Sequence, residues 1–116
     1  MLLLEGSDAL LRFRVRERIN GVLENIDFND YDVIQLIIKF ANDKILYVQW
    51  EPETEAVDSI VDFSIFSEQT TNMVGSLTAD IWGIKGQKKV RFNQKTIKWK
   101  VLPSVKVPKW ATNAGL

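Results

Sequence analysis

Arg12, Arg14 and Arg16 stand at every second position of LRFRVR, so in an extended chain their guanidinium groups leave from one face. With Arg91 they would make a basic stripe for phosphate or for a carboxylate-rich partner. The alternative is a solvated strand face that charge keeps from sticking to other edges, and no aromatic platform is interleaved as single-strand binding would want. A second cluster, Glu51, Glu53, Glu55 and Asp58, offers oxygen ligands for a hard cation. Neither it nor the segment from Asp27 to Asp32 has the D-x-[DN]-x-[DN]-G order of a calcium loop, so an acidic solvated loop is the better reading. The same carboxylates as a glycosidase pair would need a cleft and one buried acid.

The chain has neither histidine nor cysteine. That removes Ser-His-Asp and Cys-His nucleophilic systems, disulfides and the usual zinc sites, each of which needs an imidazole or a thiolate. No catalytic residue, metal ligand or cofactor site is expected, and the chain reads as a non-enzyme.

Of the four tryptophans, Trp50 and Trp99 fall in phase with apolar neighbours and are expected in the core. Trp82 is out of phase with Leu77, Ala79 and Ile81, so it leaves the opposite face, where it could anchor a partner or stack on a sugar beside Tyr47; the other reading is that a loop or the tail covers it. Trp110 lies in the segment 104–116 with Val105 and Val107, between and beyond Pro103 and Pro108. The prolines hold that segment extended and lower the entropy lost on docking. Val105, Val107, Trp110, Trp82, Arg12, Arg14 and Arg16 are therefore the candidate partner-binding residues.

These residues need a scaffold, and the pattern of the chain is β throughout. The segment 77–101 organises it: apolar and polar residues alternate on both sides of the turn Lys85-Gly86-Gln87-Lys88. Leu11, Phe13 and Val15 alternate with the arginines. Asn20-Gly21 is a turn dipeptide. The run 33–40 reads as a strand buried on both faces, joined by a hairpin at 41–44 to 45–50, and both are expected to be central. Val61, Phe63 and Ile65 alternate with Asp62 and Ser64. About eight strands with no convincing amphipathic helix predict an antiparallel two-sheet sandwich of the immunoglobulin type, or as the alternative a small β-barrel. The expected core is Leu11, Phe13, Val15, Leu36, Ile38, Val48, Trp50, Phe63, Ile65, Leu77, Ile81, Ile97, Trp99 and Val101.

At 116 residues the chain is long enough for one core, expected over 1–103 with 104–116 as an extended tail. Fifteen basic residues balance fifteen acidic ones, so no whole-molecule field draws it to nucleic acid or membrane, and neither is expected as a partner. Met1-Leu2-Leu3-Leu4 stops at Glu5 and is too short for a signal peptide, and no run is long enough to span a bilayer, so a soluble, unsecreted protein is expected.

The segment GSLTADIWGIKGQKKVRF followed by KTIKWKVLPSV is similar to the closing hairpin and last strand of immunoglobulin-like domains of bacteriophage virion proteins, among them N-terminal domains of baseplate upper proteins and modules that decorate capsids or tails. EGSDALLRFRV resembles their first strand. The resemblance covers the chain to about Val105 and implies a structural protein of the virion, made and assembled in the cytoplasm of a bacterial host. Its partners would be other virion proteins or copies of itself. The reading from a different class is a small carbohydrate-binding module that stacks a surface glycan on Trp82 and Tyr47.

Overall fold

The structure, a computed structural model, describes residues 2–26, 30–50 and 60–104, apart from the side chains of Glu17 and Ile19. The described chain is all-β with one short helix. Its strands are β1 (Leu2–Leu4), β2 (Ala9–Arg14), β3 (Arg16–Ile19), β4 (Val22–Asn25), β5 (Val33–Lys39), β6 (Ile45–Gln49), β7 (Ile60–Ile65), β8 (Gly75–Lys85), β9 (Lys88–Arg91) and β10 (Ile97–Leu102); α1 (Ser67–Thr70) precedes β8.

The large sheet has the order β1-β10-β8-β5-β6 and curves into a half-barrel; β2 pairs with β7, and β3 with β4, in two small sheets. Two expectations are corrected. The sheet is mixed, because β1 joins β10 in parallel, Leu3 opposite Val101. A three-residue strand of leucines carries no alternation to read, so it escaped the sequence pattern. And β6 lies at the edge of the sheet, where Ile45 and Tyr47 are exposed. Only β5 is central.

Alternation decides the faces. Ile34, Leu36 and Ile38 on β5 stand opposite Gly83, Ile81 and Ala79 on β8 and point inward; Gln35 and Ile37 stand opposite Trp82 and Asp80 and point outward. Ile97, Trp99 and Val101 continue the inner face on β10. Val61, Phe63 and Ile65 of β7 close over it, all fully buried. Removing a side chain such as Phe63 from water stabilises the fold by about 1.5–3 kcal/mol. Every residue expected in the core lies in this cluster or packs on it, with Phe13, Trp50, Ile97 and Trp99 partly buried; Leu3, Ile26, Ile34, Phe40, Val61 and Ala79 complete it.

Three aromatic rings tie the two sheets together. Trp99 of β10 stacks on Phe13 of β2 at 5.7 Å and 10°, and Phe13 meets Phe63 of β7 at 6.0 Å and 59°. At the other end the turn after β1 is bound to α1: the Gly6 amide donates to Thr70 Oγ1 (3.0 Å), Ser67 N to Asp8 Oδ1 (2.7 Å) and Asn72 N to Glu5 Oε2 (2.9 Å). Thr70, the one buried polar residue among those described, is satisfied in this way.

Asn20 and Gly21, at φ 52° and 80°, form the turn between β3 and β4 that their types predict. This hairpin pairs with neither larger sheet. Val22 and Leu23 remain 59% and 50% exposed.

Candidate functional site

Val15 is the joint from which the site is built. It is buried, it separates β2 from β3, and the residues on either side of it, Arg14 and Arg16, are exposed. Between this joint and the inner edge of β8 and β10 lies a cleft of about 450 Å³. Phe13, Leu23, Ile81, Phe92 and Ile97 give it apolar walls, and Arg14, Arg16 and Asn93 its polar ones. Apolar walls with a few convergent polar groups are the usual makings of a binding site.

The wall formed by the β9–β10 break is held open by hydrogen bonds. The Phe92 amide donates to Ile81 O (2.9 Å), and the Ile81 amide donates to Asn93 Oδ1 (2.9 Å), so β8 keeps a partner where the neighbouring strand has left it. Asn93 Nδ2 donates to Asp80 Oδ1 (2.7 Å) and to Lys95 O (2.9 Å). Phe92 packs edge-on against Tyr31 at 5.2 Å. Both rings lie so close to Gly83 that a Cβ there would collide with them.

The arginine ladder divides. Arg12 is taken: its Nε lies 2.8 Å from Asp62 Oδ1 and its Nη2 3.3 Å from Oδ2, across the β2–β7 register. This hydrogen bond, more than the charge, holds the Asp62 carboxyl below its ordinary range and raises Arg12 in turn. Arg14 and Arg16 make no ion pair among the described residues. Arg91 donates through Nη2 to Gln94 O (3.2 Å) and belongs to a different face from Arg12.

Trp82 leaves the outer face of the large sheet as its phase requires. It is half-buried, with Gln35 across from it on β5 and Arg91 on β9. Tyr47 shares that face two strands away, beside Ile37. Val105, Val107 and Trp110 lie outside the described residues, as do Glu51, Glu53, Glu55 and Asp58. Among the described residues no group of three or more carboxylates could hold a metal ion, and no helix is long and apolar enough to cross a membrane.

A second hollow, of about 410 Å³, lies where β6 and β7 run side by side without a ladder, and Leu10, Tyr47 and Phe66 around it are all more than half exposed. Leu10 and Phe66 differ from core residues only by phase, the one being out of step with Leu11 and Val15 and the other with Phe63 and Ile65. No protein-family model matches the sequence, and no curated protein is similar enough to it to count as a relative.

Proposed function

We propose that this chain is a non-enzymatic structural protein of a bacteriophage virion, a capsid decoration or tail-baseplate component that works through protein-protein contacts. The observation that carries the reading is the cleft at the root of the β3–β4 hairpin, whose apolar walls, with Arg14 and Arg16 in no ion pair among the described residues, suit a partner's apolar side chain beside a carboxylate. A two-stranded hairpin is marginal alone in water, and bare Val22 and Leu23 give it an apolar surface to place against a partner.

The finer reading of the fold belongs here. In an immunoglobulin-like sandwich of variable type the C′ strand joins the sheet of G, F and C, and B pairs with E in the other sheet. The order β10-β8-β5-β6 with β2–β7 opposite fits that scheme, the β3–β4 hairpin then being an insertion between the second and third sandwich strands. The partners are other virion proteins or further copies of this chain, and the place of action is the particle assembled in a bacterial cytoplasm.

The carbohydrate-binding reading is favoured by one observation, that Trp82 and Tyr47 share the outer face. Two experiments separate the readings. Proteomic analysis of particles from the source phage is expected to find the chain at fixed stoichiometry, with Arg14→Glu/Arg16→Glu lowering its incorporation. Absence from particles, together with glycan-array binding that Trp82→Ala abolishes, would replace the first reading by the second.

A further inference from the structure

We infer that the outer face of the large sheet along β9 and β10 binds single-stranded nucleic acid. The inference is independent of the virion reading and runs against the expectation from net charge.

The neutral total hides a separation of charge: after Asp80 the chain contains no Asp or Glu at all. β9 and β10 both pair with the same edge of β8, one after the other, because β5 occupies the opposite edge. Their alternation is in phase. Lys89 and Arg91 stand opposite Ile84 and Trp82 on the outer face, and Lys98 and Lys100 stand opposite Thr78 and Ser76 on that same face. All four are exposed. Lys95, also exposed, lies in the break between the strands.

Among the described residues no carboxylate pairs with them: Asp80, on the same face of β8 between Thr78 and Trp82, accepts from Asn93 Nδ2 and makes no ion pair. The ion pairs among the described residues are Arg12–Asp62 and Lys39–Asp43, and neither involves this edge. A surface that serves solubility alone interleaves both signs, because like charges two residues apart on a strand, about 6.6 Å, repel. Here four cations over two consecutive strands share a face with one carboxylate, Asp80, and a polyanion with regularly spaced charges would relieve the repulsion that remains.

The row of residues through Trp82 selects the kind of polyanion. Across the sheet it reads Gln49, Gln35, Trp82, Arg91: two amides, an aromatic face and a guanidinium on one surface. Stacking on Trp82 with phosphates on the adjacent cations is the arrangement by which single strands are held without a deep groove, and the glutamine amides can donate to and accept from base edges. An acidic polypeptide has no use for the aromatic and amide groups. In a duplex the base faces are already stacked, and a neutral glycan would leave the cations unanswered.

The test uses the full chain and a fluorescein-labelled oligothymidine of about twenty nucleotides, followed by anisotropy from about 20 to 200 mM NaCl. Four phosphate contacts predict a slope of log K against log salt of about −3. Lys98→Glu/Lys100→Glu, and separately Lys89→Glu/Arg91→Glu, should each weaken binding at least about tenfold at low salt and flatten the slope. Trp82→Ala should weaken binding with the slope unchanged, which a purely electrostatic role would not produce. Arg12→Ala, on the other sheet and committed to Asp62, should leave binding as it is. Melting curves confirm that each variant is folded. Absence of binding at low salt overturns the inference. So does equal competition by polyglutamate, which would assign the face to an acidic polypeptide, and so does equal affinity for a duplex without dependence on Trp82.

Discussion

β2–β7 and β9–β10 present the same feature to solvent, a strand with cations at alternate positions, yet they differ in what stands across from those cations. On β2 the register sets Asp62 opposite Arg12, and two hydrogen bonds use up the charge. On β9 and β10 the residues opposite are Trp82, Ile84, Ser76 and Thr78, none of which carries a negative charge, and Asp80 between them is hydrogen-bonded by Asn93. A basic stripe in a sequence is therefore half an observation. The partner strand decides whether it is a salt bridge or a surface with affinity to spare.

The two regions nevertheless share one interior. The stack Trp99–Phe13–Phe63 runs from β10 through β2 to β7. Trp99→Ala removes the ring that joins them, and a stability loss of about 3 kcal/mol is expected, the low end for a large aromatic because Trp99 is only partly buried. Urea unfolding followed by far-ultraviolet circular dichroism measures it. A change near zero would mean that the sheets are held together elsewhere and that the outer faces can be compared as independent bodies.

What the sequence disclosed, and what it hid, follows the same division. Strand phase is legible because each strand buries one face: alternation alone places Leu11, Phe63, Leu77 and Val101. Trp82 was assigned to the outer face for the same reason. Pairing was not legible, because register is set between segments distant in the chain. Hence neither the parallel pairing of β1 nor the edge position of β6 is visible in the sequence, and Arg12, Arg14 and Arg16 look like one group although Asp62 divides them. The cleft was hidden too, since Leu23, Phe92 and Ile97 come from three separate segments. One signal is local: no acidic residue follows Asp80, which a count over the whole chain averages away.

The second way to sharpen the comparison is at the break itself. β2 and β7 pair without interruption from Ala9–Ile65 to Arg14–Ile60, whereas the chain opposite β8 is parted into β9 and β10 with Asn93 filling the gap. Asn93→Ala leaves the Ile81 amide without its acceptor on a buried residue, at an expected cost of about 1–2 kcal/mol. Hydrogen exchange should show the loss locally, with faster exchange at Ile81 and unchanged protection at Leu11 and Phe63. Uniform acceleration across both sheets would show that the break is no separate unit but part of the common core.

The smallest effect is expected from the salt bridge that distinguishes the two regions. Asp62→Asn removes a pair whose arginine is well exposed, so screening by water leaves little stability to lose, and the melting temperature should fall by no more than a few degrees at neutral pH. Its pH dependence carries the information. The folded-state pKa of Asp62 is lowered, chiefly by the hydrogen bond from Arg12, so the pair's contribution is complete above the ordinary aspartate pKa of about 4 and is lost as pH falls through the folded value. The difference between the native chain and Asp62→Asn should accordingly be flat from neutrality down to about pH 5 and close below about pH 4, and added salt should shrink it throughout. The same substitution frees Arg12. If oligothymidine binding then rises with a steeper salt slope, the freed Arg12 is equivalent to the cations on β9 and β10, and the missing counter-charge alone makes the face. If binding does not change, position beside Trp82 is required as well.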